Sequence, residues 1–247
     1  MGSLRDRRVL VVGGSSGIGR ATALHLAQQG ARVVAAARRA DALEALAAEH
    51  PGLTASVVDA TDPEAVAGAV ARAVTELGGL DALVYTAGLL VLGDAPDLEP
   101  RQWRRSLDVN LMGAVWSLGA ASPALRAGRG RALLVSSRAP VDHPPRRGMA
   151  PYIVSKAALD ALASVWEVEC PEIAITRVTV GDTGPTEMGR NETPETLGRY
   201  VGEWAARKLL VGRILSAEQV ARHLGRLLEE EEAVPVSSIL PRPAVES

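Results

Sequence analysis

The sequence has few of the residues that mark disulfide-rich, metal-binding or aromatic-rich proteins. It contains no phenylalanine and 3% aromatic residues, so its core must be built mainly from Ala, Val and Leu, for which an apolar content of 47% is sufficient. Its single cysteine, Cys170, excludes an intrachain disulfide, and a lone thiol is far more often structural than catalytic. The four histidines lie in different predicted elements without the spacing of metal ligands, so no metal site is expected.

The sequence also lacks an excess of either charge and any long apolar run. Lys plus Arg number 27 against 29 for Asp plus Glu, and a net charge of -2 offers no broad attraction to nucleic acid or to an anionic membrane. No run is long enough to span a bilayer, and the first apolar run, residues 9–12, is too short for the core of a signal peptide. We therefore expect a cytoplasmic protein that binds neither nucleic acid nor membrane.

What the chain does contain is an alternation of strand-like and helix-like segments. No linker or shift in composition divides the 247 residues, so one domain over residues 1–247 is expected. The alternation predicts an α/β fold with a doubly wound parallel sheet, Rossmann-like, of about seven strands with helices on both faces. One long helix is predicted over residues 101–121. The predicted strands are residues 9–12, 32–37, 53–58, 80–85, 132–135, 173–180 and 236–240.

A glycine turn follows the first predicted strand. Gly13, Gly17 and Gly19 lie between that strand and a helical segment, residues 21–29. Glycines at this position let the backbone turn tightly and approach a pyrophosphate, whose charge is stabilised by free amides and by the positive end of the helix dipole. The spacing departs from the commonest dinucleotide pattern, and a turn that merely connects two elements is the alternative. The flanking strand and helix favour phosphate binding.

The end of the second predicted strand bears on which dinucleotide is bound. At this point an acidic residue would bind the ribose 2′-hydroxyl, whereas an arginine would pair with a 2′-phosphate. The sequence has Ala37 and Arg38 there, with no acid. We interpret this as a preference for NADP(H), with NAD(H) as the alternative cofactor; arginines that only cap the following turn are the competing interpretation. Asp59, at the end of the third predicted strand, is placed to bond an adenine amino group.

The segment Pro151 to Leu162 places a tyrosine and a lysine on one helical face. Tyr152 and Lys156 are four residues apart, so both side chains project from the same side. A nearby cation favours the phenolate and lowers a tyrosine pKa from about 10 toward the working range. Tyr152 could then act as a general acid or base. A half-exposed tyrosine beside a solvated lysine is the alternative for this segment taken alone.

In their order and spacing, the glycine turn, Asp59, Asn110, Ser137 and the Tyr152–Lys156 pair resemble the short-chain dehydrogenase/reductase family in its single-domain form. The resemblance covers nearly the whole chain. It implies that Tyr152 is the catalytic acid/base, that Lys156 binds the nicotinamide ribose and lowers the tyrosine pKa, and that Ser137 polarises the substrate carbonyl. It also implies that Asn110 holds a water that links Lys156 to solvent.

The same resemblance implies which residues hold the cofactor, and it implies a homo-oligomer, either a tetramer or a dimer. A segment of about residues 184–215 is expected to cover the substrate. The implied cofactor-binding residues are Gly13, Ser15, Ser16, Gly17, Ile18, Gly19, Arg38, Asp59, Ala60, Ala87, Gly88, Tyr152, Lys156, Gly184 and Thr186.

The sequence departs from the family pattern at several positions. Tyr85-Thr86 stands where the family usually has two asparagines that brace the site. The loop of residues 138–151, which leads to Tyr152, is longer than usual and basic. Its side chains are expected to influence substrate choice, with a solvated basic loop as an equal alternative. These side chains are Arg138, His143, Arg146 and Arg147.

The leading hypothesis is an oxidoreductase that transfers a hydride between NADP(H) and a small-molecule carbonyl or alcohol, with Tyr152 as acid/base. The rival from another class is a sensor or scaffold protein of the same fold that binds NADP(H) without turnover. The simultaneous presence of Asn110, Ser137, Tyr152 and Lys156 argues against that rival. An epimerase or dehydratase of this fold is the third hypothesis, although such enzymes usually carry a larger substrate domain.

Overall fold

The computed structural model describes residues 3–184, 187–210 and 214–241. The strands are β1 Arg8–Val12, β2 Arg32–Ala37, β3 Leu53–Val57, β4 Ala82–Tyr85, β5 Arg131–Ser137, β6 Ala174–Val180 and β7 Val236–Ile239. They form one seven-stranded sheet in the order β3-β2-β1-β4-β5-β6-β7, and all neighbours are parallel. The predicted doubly wound α/β sheet is confirmed.

Helices cover both faces of this sheet. They are α1 Gly17–Gln28, α2 Ala40–Ala48, α3 Pro63–Leu77, α4 Pro100–Leu107, α5 Gly113–Gly128, α6 Ala150–Glu169, α7 Pro194–Ala206 and α8 Ala217–Glu229. Successive side chains of β1 alternate between the faces, as those of any strand do. Val9 and Val11 pack with α1, α2 and α8, whereas Leu10 and Val12 pack with α3, α5 and α6. Since both faces are covered, a ligand has access at the ends of the strands.

The helix starts follow local sequence signals. The Asp62 carboxylate accepts hydrogen bonds from the backbone N–H groups of Glu64 and Ala65, both at 3.0 Å, and so caps α3. The Ser216 hydroxyl accepts from the Gln219 N–H at 3.2 Å, and the Gln219 side chain accepts from the Ser216 N–H at 2.8 Å. Asp62 therefore caps α3, and Ser216 and Gln219 form a capping box at the start of α8.

The long helix predicted over residues 101–121 is not continuous. A π-helical turn, Asp108–Met112, separates α4 from α5. The buried Tyr85 hydroxyl donates to the Val109 carbonyl oxygen at 2.5 Å, so it holds one of the carbonyl groups within the widened turn. Asn110 lies in this turn and is fully buried, which differs from the solvated position usual for an asparagine in a helix. Such π-bulges are frequent at functional sites.

Candidate active site

A cleft of about 460 Å³ opens at the carboxyl ends of β1, β4, β5 and β6. This is the edge at which open α/β sheets bind ligands. The cleft brings the glycine turn after β1 together with the face of α6 that carries Tyr152 and Lys156. The predicted site residues that line it are Gly13, Ser15, Ser16, Gly17, Ile18, Gly19, Arg38, Asp59, Ala60, Ala87, Gly88, Ser137, Tyr152 and Lys156.

The glycine turn is folded too tightly for side chains. Gly13 has a φ of 93°, and a Cβ added there would lie 2.5 Å from the Ala87 nitrogen and 2.7 Å from the Thr86 hydroxyl. A Cβ at Gly19 would overlap the Gly13 carbonyl oxygen. Thr86 in turn donates to the Val12 carbonyl at 2.8 Å, so it ties the segment after β4 to the start of the turn. The bare backbone fits the close approach of a pyrophosphate.

The first turn of α1 adds to this fit. Its N-cap, Ser16, makes no side-chain capping bond, so the orphan N–H groups of the first turn are left for a ligand. No acidic side chain lies in that turn. An unopposed helix N-terminus facing a cleft favours an anion, and a nucleotide phosphate is the anion that the fold suggests.

The two arginines after β2 have different surroundings. Arg38 is exposed and lines the cleft. Arg39 donates to the Ser15 carbonyl oxygen at 3.2 Å and to the Ser15 hydroxyl at 3.3 Å, and it pairs with Glu187 at 2.8 Å. Sequence reasoning assigned a role to Arg38 alone. The contact of Arg39 with the glycine turn was missed, because Ser15 lies 24 residues earlier in the chain.

The remaining predicted cofactor residues divide into three groups. Asp59 lines the cleft, and its Oδ1 accepts from the Thr61 N–H at 3.0 Å and from the Thr61 hydroxyl at 2.9 Å, which orients the carboxylate. Gly184 is not among the described residues that line the cleft. Its N–H donates to the Leu215 carbonyl oxygen at 2.9 Å. Thr186 lies outside the described residues.

Tyr152 lies near the start of α6, on the wall of the cleft, and is 6% exposed. Burial raises the pKa of its phenol, and the charge of Asp182 adds to that rise, whereas a hydrogen bond with Ser137 and the charge of Arg146 lower it. The net direction is upward. The expected lowering of the Tyr152 pKa by Lys156 is therefore not met in this structure, because burial in a poorly polarisable site outweighs the favourable charges.

Lys156 is one helical turn further along α6 and is also buried, at 4% exposure. Its Nζ donates to the Val135 carbonyl oxygen at 2.8 Å and lies 6.0 Å from the centre of the Tyr152 ring. Burial lowers the pKa of Lys156 to about 8, and the charge of Asp160 opposes this shift. A fraction of Lys156 is therefore neutral in the mildly alkaline range, which is unusual for a lysine.

Asn110 joins three parts of the site. Its Oδ1 accepts from the Leu89 N–H at 2.7 Å, and its Nδ2 donates to the Leu89 carbonyl at 3.0 Å. The same Nδ2 donates to the Ser155 hydroxyl at 2.8 Å. Since Ser155 precedes Lys156, these bonds connect the π-helical turn to the segment after β4 and to the part of α6 that carries Tyr152 and Lys156. The sequence had no signal for this arrangement.

The loop of residues 138–151 is built around one buried arginine. Arg146 is 8% exposed and donates to both carboxylate oxygens of Asp182, each at 2.7 Å. It also donates to the Leu209 carbonyl at 3.1 Å and lies over the Trp204 ring, 5.7 Å from its centre. Arg146 thereby links the loop to the end of β6 and to α7. Asp182 and Trp204 also line the cleft, and sequence reasoning missed both.

The other predicted side chains of this loop lie in different environments. Arg138 donates to Asp142 at 2.7 Å, and both line the cleft. Arg147 is 54% exposed and pairs with Asp94 and Glu203, outside the cleft lining. His143 is exposed and does not line the cleft. The basic loop is thus neither wholly solvated nor wholly part of the site.

Within residues 3–184, 187–210 and 214–241, no group of three or more His, Cys, Asp or Glu side chains is arranged to hold a metal ion. In the same part of the chain, none of the helices combines the length and the apolar character that crossing a bilayer requires.

The match to a family extends over most of the chain. A family model described as short chain dehydrogenase matches residues 7–196. The chain therefore belongs to the short-chain dehydrogenase/reductase family. Several relatives of this chain are named as oxidoreductases, dehydrogenases or reductases, and like them it is an NAD(P)-dependent enzyme acting on CH–OH or C=O groups.

Several relatives are similar over almost the whole chain. A glycine betaine reductase of Emericella nidulans is 33% identical over 98% of this chain, which spans only 19% of that relative's length. A D-erythrulose reductase of Gallus gallus is 31% identical over 96% of this chain and 94% of the relative. Among solved structures, a short chain dehydrogenase of Burkholderia cenocepacia J2315 in complex with NADP has a TM-score of 0.80 and 29% identity over 96% of this chain and 97% of its own.

Proposed function

We propose that this protein is an NADP(H)-dependent carbonyl reductase or alcohol dehydrogenase in which Tyr152 is the acid/base. The observation that carries the proposal is the shared cleft: Ser137, Tyr152 and Lys156 line the same space as the bare glycine turn. A nicotinamide cofactor held at that turn and a carbonyl beside Tyr152 would then lie in one enclosed site. Bringing two reactants together in this way is a large part of what such an enzyme must do.

The side chains have separable roles in this mechanism. When bound, the nicotinamide dinucleotide donates a hydride to the substrate carbon or accepts one from it. Ser137 and Tyr152 donate hydrogen bonds to the substrate oxygen as negative charge develops on it. Tyr152 then transfers its proton to that oxygen, and the ammonium of Lys156 stabilises the phenolate that remains. Asn110, through its bonds to Leu89 and Ser155, keeps the turn beside Lys156 in place.

The direction of the Tyr152 pKa favours reduction. A phenol whose pKa is raised stays protonated at neutral pH, which is the form that donates a proton to a carbonyl oxygen. Arg146 and Asp182 shift the pKa of Tyr152 in opposite senses, so the effects of this ion pair on the phenol oppose each other. Alcohol oxidation requires the phenolate and is expected to need a higher pH.

The preference for NADP(H) is supported by charge at the end of β2. Arg38 lines the cleft with no acidic neighbour in the chain between Arg32 and Ala40, and Arg39 lies beside it. Arginine pairs with phosphate through charge-assisted hydrogen bonds, so a 2′-phosphate would be bound there and a free 2′-hydroxyl would not. The relative of known structure that carries NADP is consistent with this choice.

We further propose that residues 187–210 and the neighbouring Ile214 cover the substrate, and that the protein is a homo-oligomer. Met188, Val201, Trp204 and Leu210 from this segment line the same cleft as Tyr152. Val165 and Val168, exposed on α6 by 51% and 79%, are apolar positions that a second copy would bury. Analytical ultracentrifugation measures the oligomeric state; a monomer at micromolar concentration would contradict this part of the proposal.

The proposed activity is tested by NADPH oxidation, followed by absorbance, against a panel of ketones and aldehydes. The panel includes D-erythrulose and an aldehyde with a quaternary ammonium group, which the two relatives suggest. We expect turnover on at least one compound and a fall of about 10²-fold or more in Tyr152→Phe, since the proton donor is lost. Cofactor binding without any Tyr152-dependent turnover would support the sensor or scaffold alternative instead.

A further inference from the structure

A second polar cluster adjoins Lys156, and of its three members Ser136 lines the cleft whereas Asp160 and Arg177 do not. It consists of Ser136 at the end of β5, Asp160 on α6 and Arg177 on β6. Asp160 is one helical turn beyond Lys156, so the two side chains share a face of α6. An Arg177 nitrogen lies 3.5 Å from Asp160 Oδ2, and the Asp160 side chain is 16% exposed. None of these three residues touches the reacting atoms of the proposed mechanism.

The cluster is incompletely bonded for a purely structural element. Within the described part of the chain, the buried Ser136 Oγ, Asp160 Oδ1 and Arg177 Nε have no hydrogen-bond partner. A buried polar atom without a partner costs about 1–3 kcal/mol of stability. A chain selected only for stability would replace these side chains with apolar residues of similar size, because such replacements are often neutral or stabilising. The arrangement therefore calls for a role beyond packing.

That role is found in the surroundings of the Lys156 ammonium. It is buried, and the hydrogen bond that it donates within the described residues goes to the neutral Val135 carbonyl. Burial favours the uncharged amine, and Asp160 is the carboxylate whose charge opposes this. Burial also favours the uncharged acid at Asp160, and the charges of Arg177 and Lys156 oppose that in turn. The charges of Arg177, Asp160 and Lys156 thus alternate in sign from β6 to the cleft, and each favours the ionised form of the next.

We propose that Asp160 is a positioning residue for catalysis: it holds Lys156 in its charged form, and Arg177 holds Asp160 ionised. This inference rests on the proposed function, in which charged Lys156 stabilises the Tyr152 phenolate. Asp160 does not contact the substrate or the cofactor site, so it acts through Lys156. Without Asp160, Lys156 becomes neutral at a lower pH and loses its effect on Tyr152.

The other groups around Lys156 do not supply this negative charge. The titratable neighbours of Lys156 on α6 are Tyr152 and Asp160. From β6, Arg177 lies against Asp160. From β5 and the π-helical turn the site receives the neutral groups of Val135, Ser136, Ser137 and Asn110. From α4 the buried side chain is the neutral Ser106. On the loop side of Tyr152 an ion pair joins Arg146 to Asp182, so its two charges offset each other.

The chain allows a direct measurement, because Lys156 and Lys208 are its only two lysines. Protein labelled with ¹³C at lysine Cε gives two side-chain resonances, which Lys208→Arg assigns. In the native protein we expect Lys156 to titrate at a pKa of about 8. In Asp160→Asn we expect that pKa to fall by about one unit, the usual effect of removing a nearby opposite charge.

The matched control is Glu169→Gln, which removes one carboxylate from the exposed end of the same helix. Glu169 is about 20 Å along α6 from Lys156, so the Lys156 titration is expected to stay unchanged. Equal Lys156 titrations in native protein, Asp160→Asn and Glu169→Gln would overturn the proposal. Should Asp160→Asn fail to fold, Arg177→Gln removes the cation that pairs with Asp160, and an unchanged Lys156 titration in that variant would overturn the proposal equally.

A second readout separates positioning from simple structural damage. If the lysine charge supports turnover, kcat for reduction decreases as rising pH removes the Lys156 proton. In Asp160→Asn the pH at which this decrease occurs should be about one unit lower than in the native enzyme. A uniform loss at every pH would indicate a structural role and contradict the proposal. The NMR titration needs no turnover, so its outcome is independent of whether the reductase activity itself is found.

Discussion

Replacing Arg146 with Met tests whether the loop of residues 138–151 is held to the site by one buried ion pair. The substitution keeps a long, flexible side chain but removes the guanidinium, which is 8% exposed. Three hydrogen bonds are lost, two to Asp182 at 2.7 Å and one to the Leu209 carbonyl at 3.1 Å. The contact over the Trp204 ring loses its charge as well. The Asp182 carboxylate is left without its partner.

The magnitude follows from the burial of the two partners. Removing one member of a fully buried ion pair costs about 3–5 kcal/mol. The Asp182 side chain keeps 26% of its exposure, so water can solvate part of the charge left behind, and we expect a loss of about 2–3 kcal/mol. For a domain of this size, 1 kcal/mol corresponds to about 2–4 °C in Tm. The Tm of Arg146→Met should therefore fall by about 4–12 °C.

The assay is thermal and urea-induced unfolding followed by circular dichroism, with Arg147→Met as the neighbouring control. Arg147 is 54% exposed and makes its ion pairs at the surface, so its loss should cost less than about 1 kcal/mol. In the double variant Arg146→Met/Asp182→Asn, the loss should be smaller than the sum of the single losses, because no unpaired charge remains. Equal losses for Arg146→Met and Arg147→Met, or strictly additive losses in the double variant, would refute the reasoning.

Two further substitutions test the cofactor site and the π-helical turn. Arg38→Leu should raise KM for NADPH by about tenfold or more, the usual weight of a charge-assisted hydrogen bond, with little change for NADH; equal effects on the two cofactors in steady-state kinetics would show that Arg38 does not bind the 2′-phosphate. Tyr85→Phe removes the 2.5 Å bond that the Tyr85 hydroxyl donates to the Val109 carbonyl, so stability should fall by about 0.5–1.5 kcal/mol and kcat should fall with it. Unchanged unfolding and unchanged kcat in Tyr85→Phe would mean that the π-helical turn does not depend on this bond.

The sequence by itself determined the features that depend on neighbours in the chain. The strand β2 was predicted with the observed ends, because an apolar run and the residues that flank it are neighbours in the chain. The glycine turn was located for the same reason. The alternation of strand and helix segments then predicted a parallel doubly wound sheet, because in that fold each helix connects two neighbouring parallel strands.

Only the tertiary structure decided the features that join distant parts of the chain. The π-helical turn at Asn110 interrupts a helical pattern with no proline or glycine within Asp108–Met112, and the Tyr85 hydroxyl that holds it comes from β4, 24 residues earlier in the chain. The pairing of Arg146 with Asp182 spans 36 residues, so the sequence could not tell a buried arginine from its exposed neighbour Arg147. Both partners are ordinary polar residues in the sequence, and only their shared burial makes the interaction strong.

The pKa values of Tyr152 and Lys156 also depend partly on sequence spacing and partly on the tertiary structure. The spacing of Tyr152 and Lys156 predicted one face and a favourable charge, and α6 does place both side chains on the cleft. The direction of the Tyr152 pKa depends on how much water is excluded around the phenol, and that depends on residues from distant parts of the chain, such as Leu90 and Trp204, that pack in the same cluster. Burial is a property of the assembled molecule, so the upward shift at Tyr152 and the downward shift at Lys156 appear only once the sheet and α6 are in place.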